Sequence, residues 1–586
     1  MKKILIAVAA IAALSAQADG KPTRINHPFS RCYVKATLNH DFPSFYKCGE
    51  EIVCTYSFEN VKGEIDPKRY LVYEWVNRDG DNPPRQPRTF VPEAGKTYTV
   101  RTSLDKPGTV RIWVEVWDTV LDTKLSRNDC HGRAVRFFKT AFVEPEKMQS
   151  VEEPADYDAF WKRHRAELDA VPMNPQLKLI GSTAQYKGYQ LRLDCAGPAP
   201  VTGYISIPTA PGKYPAHLVT DGYGGPYKGK RGAQYGGGGS ADEILIHINA
   251  HGYELGRDDQ YYIDFMKNAD AHGYKLYRPG DKADADLRRI PNRNPDTCYF
   301  AGMTWRIMRA LDYVKTRPEW DGKSIYATGV SQGGLQTIWA AALEPKVTWA
   351  SVQVPWSCEF GGRETLHRIE CRLPFAETPA MRYYDPVNMA KRIRGSFDIA
   401  RAGLADYTSP PSGIQVFYNN LKGPKRVIWY DRMEHKQHKF IRHKFFEESD
   451  RLPELVTGFP EGRWTLAERR ENGKKAAADE PMGSLEVVRL KDGHYSVKFT
   501  APGGKLIDFA DPKYEADVNL SAGKLEVRYR SDEGPAEMPF EETKTSVLEM
   551  RPQAKGETLS GTLATWWGNE REVNGISRIS YAGVRQ

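Results

Sequence analysis

The stretch IYATGVSQGGLQTIWAAAL, Ile325 to Leu343, constrains this chain more than any other. A β-branched and aromatic run stops abruptly at Gly-Val-Ser-Gln-Gly-Gly, and a helical pattern follows at once. Leu335, Ile338, Trp339 and Ala342 recur at the i, i+3, i+4, i+7 spacing of a buried helix. A strand that turns directly into a helix predicts a sheet covered by helices, with Ser331 at the tip of the corner. Such a strained turn lifts a serine hydroxyl clear of the sheet, where a base and a substrate both reach it. Gly-x-Ser-x-Gly alone is weak: roughly 0.2 chance matches are expected in a chain of this size at ordinary residue frequencies. The strand SIYAT before it and the apolar helix behind it supply the context that the functional reading requires.

A serine hydroxyl is inert until a base takes its proton, and the base needs an acid to orient it. On sheets of this kind the partners follow in chain order, Asp or Glu and then His. RAGLADYTSPPSG places Asp406 in a loop after a short apolar run, and VIWYDRMEHKQH places His435 just beyond another strand. Loops at the carboxyl ends of parallel strands are where ligand sites form. An aspartate before Thr-Ser-Pro-Pro also suits a plain turn cap, and His438 and His443 make a surface histidine cluster the alternative for His435. The chain order after Ser331 favours Asp406 as the acid and His435 as the base. Acyl transfer further needs two N–H donors for the oxyanion. The backbone of Gln332, at the helix start, and that of Tyr223, in Asp221-Gly222-Tyr223-Gly224-Gly225, are the candidates. The alternative is that these glycines make only a flexible loop, as in Gly232 to Gly239.

At 586 residues, about three domains are expected. From about Arg24 to Val143 short strands follow one another. In TVRIWVEVW, Val110, Ile112, Val114 and Val116 face one way, and Arg111, Trp113, Glu115 and Trp117 the other. This predicts an immunoglobulin-like β-sandwich over residues 19–146. Glu144 to Asp156 reads as a linker. Strands alternate with helices to Arg451, which predicts a mostly parallel sheet over residues 147–451; Phe300, Met303, Ile307, Ala310, Leu311 and Val314 line one helical face there. Residues 452–586 return to β character, with a hairpin at Lys491-Asp492-Gly493, and read as a sandwich or a barrel.

MKKILIAVAAIAALSAQADG has two lysines, a short apolar run and Ala16-Gln17-Ala18, the pattern of a secretory signal peptide cleaved after Ala18. The protein is therefore expected to be exported, periplasmic or secreted. The run is short for a membrane anchor, and no later segment is apolar enough to span. The 83 basic and 75 acidic residues are interspersed and leave a net charge of +8, which argues against nucleic acid as a partner. Eight cysteines match no zinc spacing, so no metal is expected, and their connectivity is open.

The residues around these motifs resemble the acetyl xylan esterase and cephalosporin C deacetylase family of α/β-hydrolases, over roughly Tyr157 to Arg442. GVSQGG resembles the family's Gly-Gly-Ser-Gln-Gly-Gly elbow, with Ser331 and Gln332 in register. Gly403-Leu404-Ala405-Asp406-Tyr407-Thr408-Ser409-Pro410-Pro411-Ser412 resembles its Gly-Leu-x-Asp-x-x-Cys-Pro-Pro-Ser loop. DGYGG corresponds to His-Gly-Tyr-Gly-Gly, and Val354-Pro355-Trp356-Ser357-Cys358 to Val-Pro-Phe-x-Cys. Asp221, Val330 and Ser409 depart from the pattern, as does His251-Gly252-Tyr253 where the family has Arg-Gly-Gln. The resemblance implies a serine carboxylesterase with the Ser331, Asp406 and His435 triad, needing no cofactor and acting on an acylated carbohydrate or small ester. Trp356 is then expected to line the acyl pocket. The alternatives are a serine peptidase of the same fold, or a carbohydrate-binding protein with an inactive core, in which Trp113, Trp117, Trp566 and Trp567 stack on sugars. Oligomeric state is not legible.

Overall fold

The computed structural model describes residues 28–29, 32–59, 61–81, 85–120, 123–124, 136–223, 239–271, 291–356, 358–369, 378–431, 433–435, 445–450, 461–469, 481–489, 495–501, 503–511, 516–521, 524–530, 543–553, 558–569 and 572–586. The leader Met1 to Ala18, Cys130, Cys371, Gly224, Gly225, most of the 232–239 run, Ser357, His438, His443 and the Lys491-Asp492-Gly493 turn lie outside the described residues, as do the side chains of Trp566 and Trp567.

Two sheets share one core at the N-terminal end. The first joins β1 (Tyr33–Leu38), β3 (Ile52–Glu59) and β6 (Thr97–Thr102). The second runs β2 (Phe45–Tyr46), β9 (Arg136–Val143), β7 (Gly108–Asp118), β4 (Tyr70–Arg78), β5 (Arg88–Phe90), with β8 (Thr123–Lys124) on β7. Val34, Tyr56, Val72, Val100, Ile112, Val114, Val116 and Phe137 meet between them. The inward set of β7 is thus the one its alternation predicts. Its other face is also covered, however: Arg111 and Glu115 are buried. Cys32, Cys48, Cys54, Cys195, Cys298 and Cys358 are not joined to one another.

The segment expected as a linker begins as packed structure. Met148 is buried in the large central core, and Asn419 Nδ2 donates to the carbonyls of Pro145 (2.8 Å) and Met148 (3.2 Å). Two of its carbonyls are thus satisfied by the side chain of Asn419 rather than by water.

Among the described residues, the central unit is a ten-stranded mixed sheet. Its strands are β10 (Gln176–Ser182), β11 (Tyr186–Leu193), β12 (Val201–Pro208), β13 (Tyr214–Thr220) and β14 (Ile244–Ile248), followed by β15 (Trp320–Val330), β16 (Val347–Gln353), β17 (Ser396–Gly403), β18 (Lys425–Tyr430) and β19 (Phe445–Asp450). They are ordered 10-11-12-14-13-15-16-17-18-19. The run from β14 to β18 is parallel, while β10, β11, β12 and β19 pair antiparallel at the two sides. The sheet is therefore less parallel than the alternation of strands and helices suggests. Gln176–Ser182 is exposed throughout, and such an edge strand leaves no buried pattern to read.

Helices α1 (Tyr157–Asp169), α2 (Asp259–Ala271), α3 (Tyr299–Thr316), α4 (Gln332–Leu343), α5 (Phe360–Leu366), α6 (Pro386–Ala390) and α7 (Pro411–Asn420) accompany the sheet. α3 is buried nearly all round rather than on one face, because its two arginines find acceptors inside. Arg306 Nε and Nη2 donate to the Ala250 carbonyl (2.9 and 2.7 Å), and Arg309 Nη2 donates to those of Leu168 and Val171 (both 2.6 Å). In α4, Leu335, Ile338 and Trp339 are fully buried, worth about 1.5–3 kcal/mol each for the smaller side chains. That burial anchors the helix whose first turn carries the corner.

Among the described residues, nine C-terminal strands from Gly462–Arg469 to Glu572–Arg585 form one antiparallel sheet. Pro481–Arg489 and Lys524–Arg530 stand five strands apart in it, about 24 Å if the sheet were flat. Leu485 and Val487 nevertheless share a core with Leu525 and Val527, so the sheet curls over itself. No helix among the described residues is long and apolar enough to cross a membrane.

Candidate functional site

Four segments meet at the carboxyl ends of the parallel strands, each leaving a different one. Asp221 to Tyr223 follows β13, Ser331 follows β15, Asp406 follows β17 and His435 follows β18. Parallel strands all end on the same side, so residues far apart in sequence are delivered to one rim.

Ser331 sits at φ 58, ψ −117, between the last residue of β15 and the first of α4. A non-glycine residue held there stores about 1–3 kcal/mol of backbone strain, which neighbours must enforce. They do so through three backbone bonds. Ser331 N–H donates to Gln353 O (2.9 Å), and Ser331 O accepts from Leu335 N–H (3.1 Å) and Trp356 N–H (3.2 Å). The glycines either side allow the close approach this needs. A Cβ on Gly329 would stand 2.3 Å from Gly333 C, and one on Gly333 would stand 2.4 Å from Thr220 O. Local sequence therefore dictates the corner: apolar strand, close-packed glycines, buried helix.

Ser331 Oγ lies 2.8 Å from His435 Nε2, and His435 Nδ1 lies 2.9 Å from Asp406 Oδ2. The Asp406 side chain is 0% exposed and that of His435 16%. Asp406 Oδ1 accepts the N–H groups of Thr408 and Ser409, both at 2.8 Å, which leaves Oδ2 to face the ring. With the carboxylate ionised, Nδ1 must donate to it, so Nε2 presents a lone pair to the serine O–H. Ser409 Oγ stands 3.4 Å from Nδ1 and donates to Val354 O (3.0 Å). Val354 is itself strained, a β-branched residue at φ 43, and its N–H donates to Arg401 O (2.7 Å).

Tyr223 and Trp356 lie against each other beside this relay, ring centroids 6.5 Å apart. Trp356 is buried and Tyr223 half-buried. Gln332 begins α4, immediately after the serine. His251-Gly252-Tyr253 forms a buried turn: His251 Nδ1 pairs with Tyr299 Oη (2.9 Å), and Tyr253 O accepts from Thr202 Oγ1 (2.6 Å).

Three residues that the sequence did not single out hold the segments in register. Thr220 Oγ1 lies 2.7 Å from Gly333 O and 3.0 Å from Thr337 Oγ1. Gln336 Nε2 donates to Asp221 O (3.0 Å). His247 Nε2 stands 2.9 Å from Asp221 Oδ1, which gives the departure at Asp221 a partner on β14. Only Gln336 carried a signal, a polar side chain inside an apolar helix. Chemically, the arrangement sets a hydroxyl within hydrogen-bond reach of an imidazole that is itself paired with a buried carboxylate.

A family model described as acetyl xylan esterase (AXE1) matches residues 145–448, just over half of the chain. Acetyl esterase Axe7A of Xylanibacter ruminicola is 25% identical over 462 residues, covering 74% of this chain and 93% of that protein. Among solved structures, an acetyl xylan esterase from Paenibacillus sp. R4 is 24% identical with a TM-score of 0.41, over 50% of this chain and 94% of its own. Acetyl xylan esterase 1 from Thermoanaerobacterium sp. JW/SL YS485 is 21% identical with a TM-score of 0.39, over 50% and 93%. The matched span runs from the turn that follows β9 into the edge strand β19 and contains all four segments of the rim, and the chain belongs to the acetyl xylan esterase family.

Proposed function

We propose that the protein is an exported serine carboxylesterase that removes acetyl or other short acyl groups from carbohydrate. The observation that carries this reading is the continuous relay Ser331 Oγ to His435 Nε2 (2.8 Å) and His435 Nδ1 to Asp406 Oδ2 (2.9 Å). Ser331 Oγ attacks the ester carbonyl as His435 Nε2 takes its proton, and the buried Asp406 carboxylate stabilises the imidazolium. The tetrahedral oxyanion is received by the backbone N–H groups of Gln332 and Tyr223. Collapse breaks the bond to the alcohol, which leaves with the proton from His435. Water then attacks the acyl-serine, His435 again taking and returning a proton, and the carboxylic acid departs.

The substrate class rests on family membership and on the acetyl esterase named above, together with the expectation that the Tyr223 and Trp356 rings, which lie against each other, line the acyl pocket. Export rests on the pattern of Met1 to Ala18. Residues 19–146 are read as an immunoglobulin-like β-sandwich, 147–451 as the α/β-hydrolase unit and 452–586 as a β domain. Ser331→Ala is the test. It should lower kcat on 4-nitrophenyl acetate and acetylated xylo-oligosaccharides by about 10⁶-fold while leaving the fold intact. A correctly folded variant retaining more than a few per cent of the activity would falsify the serine mechanism.

A further inference from the structure

The N-terminal sheet reaches into the rim of the site. Arg111, in the middle of β7 and opposite Thr140 of β9, is 3% exposed, and its Nη2 donates to the backbone carbonyl of Asp406 at 2.6 Å. Thr140 Oγ1 donates to Leu404 O in the same loop. The histidine segment is held from the same strand: Arg136 pairs with Glu434, and Lys139 Nζ lies 3.0 Å from Asp431. Phe138 stacks on Tyr407, centroids 6.2 Å apart. The two segments are also joined to each other, Leu404 N–H donating to Tyr430 O (3.0 Å) and Ala405 N–H to Met433 O (3.1 Å).

Arg111 is an unusual group to seal away. Among the described residues no carboxylate lies within ion-pair distance of it, and its Nε is buried without a partner. Burying a cation in this way is costly. The carbonyl of Asp406 and the more distant carboxylates of Asp406 and Asp79 offset part of that; burial pushes the guanidinium down to about 10 and both acids pull it back. A side chain that only covered the interface could be apolar. This one spends its charge on the backbone of the residue that orients His435.

We propose that Arg111 is a positioning residue for the relay: it fixes the Asp406 loop from the N-terminal sheet, so the site is complete only with that sheet docked. The inference rests on the reading of Ser331, His435 and Asp406 given above. A displacement of about 1 Å at a reacting group can lower turnover by about 10²-fold. Arg111→Met, close in volume but uncharged, should therefore lower kcat on 4-nitrophenyl acetate by about that factor with KM little changed. It should also shift or abolish the low-field proton resonance of the His435–Asp406 hydrogen bond, identified by its loss in His435→Ala. Arg111→Lys, which keeps the charge but shortens the reach, should recover part of kcat. Wild-type kcat and an unmoved resonance in folded Arg111→Met would overturn the proposal. Should Arg111→Met fail to fold, Thr140→Val decides, since it removes one hydroxyl and keeps the shape. A severalfold lower kcat in Thr140→Val supports the proposal, and wild-type kcat there rejects it. Ser331→Ala runs alongside: activity there rejects the reading of the site, whereas an inactive Ser331→Ala beside a fully active Arg111→Met rejects this inference alone.

Discussion

Thr220 Oγ1 and the carbonyl of Gly333 lie 2.7 Å apart, which ties the end of β13 to the first turn of α4. The bond sets the distance between the loop that carries Tyr223 and the corner that carries Ser331. It also explains why Gly333 has no side chain, since a Cβ there would press on Thr220 O at 2.4 Å. Gly333→Ala should raise intrinsic helix propensity and still lower kcat, by about 10²-fold, because the two proposed oxyanion donors, the backbones of Gln332 and Tyr223, are wedged apart. Thr220→Val leaves the buried Gly333 carbonyl short of a donor and should destabilise by about 1–3 kcal/mol. Unchanged turnover in Gly333→Ala would show that the Tyr223 loop does not act with the corner.

His435, and not His438, should be the base. Its ring stands between Ser331 and Asp406, while His438 lies outside the described residues. His435→Ala should remove nearly all esterase activity, and His438→Ala should leave it within a few fold. The reverse pattern would transfer the role to His438.

The corner was legible in the sequence because everything that shapes it is local: the strand pattern up to Val330, the glycines at 329 and 333, and the buried spacing of Leu335, Ile338 and Trp339. Asp406 and His435 were legible one step less directly, as loops after apolar runs in the expected order. The contact from Arg111 to Asp406 crosses 295 residues and left no trace. An arginine alternating with valines reads as the wet face of a strand, and only docking makes that face an interior. Arg306 and Arg309 misled in the same way, because carbonyls of other elements, invisible in a helical pattern, are what admit them to the core. The packed segment after Glu144 looked like a linker because polarity alone does not reveal where backbone groups find partners.

His164 gives the fold a pH dependence of calculable sign. It is buried, stacked on Trp305 with centroids 4.2 Å apart, and its Nε2 pairs with Thr304 Oγ1 at 3.0 Å. Burial pushes the imidazole down from 6.5 to about 3. The unfolded chain takes up a proton below 6.5 that the folded one refuses until about 3. The contribution is therefore fully present above pH 6.5 and lost as pH falls through that window, at a limiting slope of about 1.4 kcal/mol per pH unit. His164→Gln removes this term and should flatten the acid side of the Tm profile relative to wild type. Parallel profiles between pH 7 and 5 would mean that His164 is protonated in the folded protein.

Acyl preference should fall on short groups, for a steric reason. The backbone N–H of Trp356 is bonded to Ser331 O, its ring is buried, and Tyr223 packs against it. If both rings face the acyl group, as proposed, an acetyl group should be accepted with the two of them in place. On the same reading an octanoyl chain would have to displace Trp356, which is 3% exposed and part of the central core. Emptying such a site costs about 3–5 kcal/mol when the ring is removed outright, and displacement forfeits part of the same packing. Hydrolysis of 4-nitrophenyl esters should accordingly drop steeply in kcat/KM from acetyl to octanoyl. Trp356→Ala should narrow the gap by raising the octanoyl rate, at some loss of Tm. A flat or rising series in the wild type would reject the small pocket and favour an esterase for long or aromatic acyl groups.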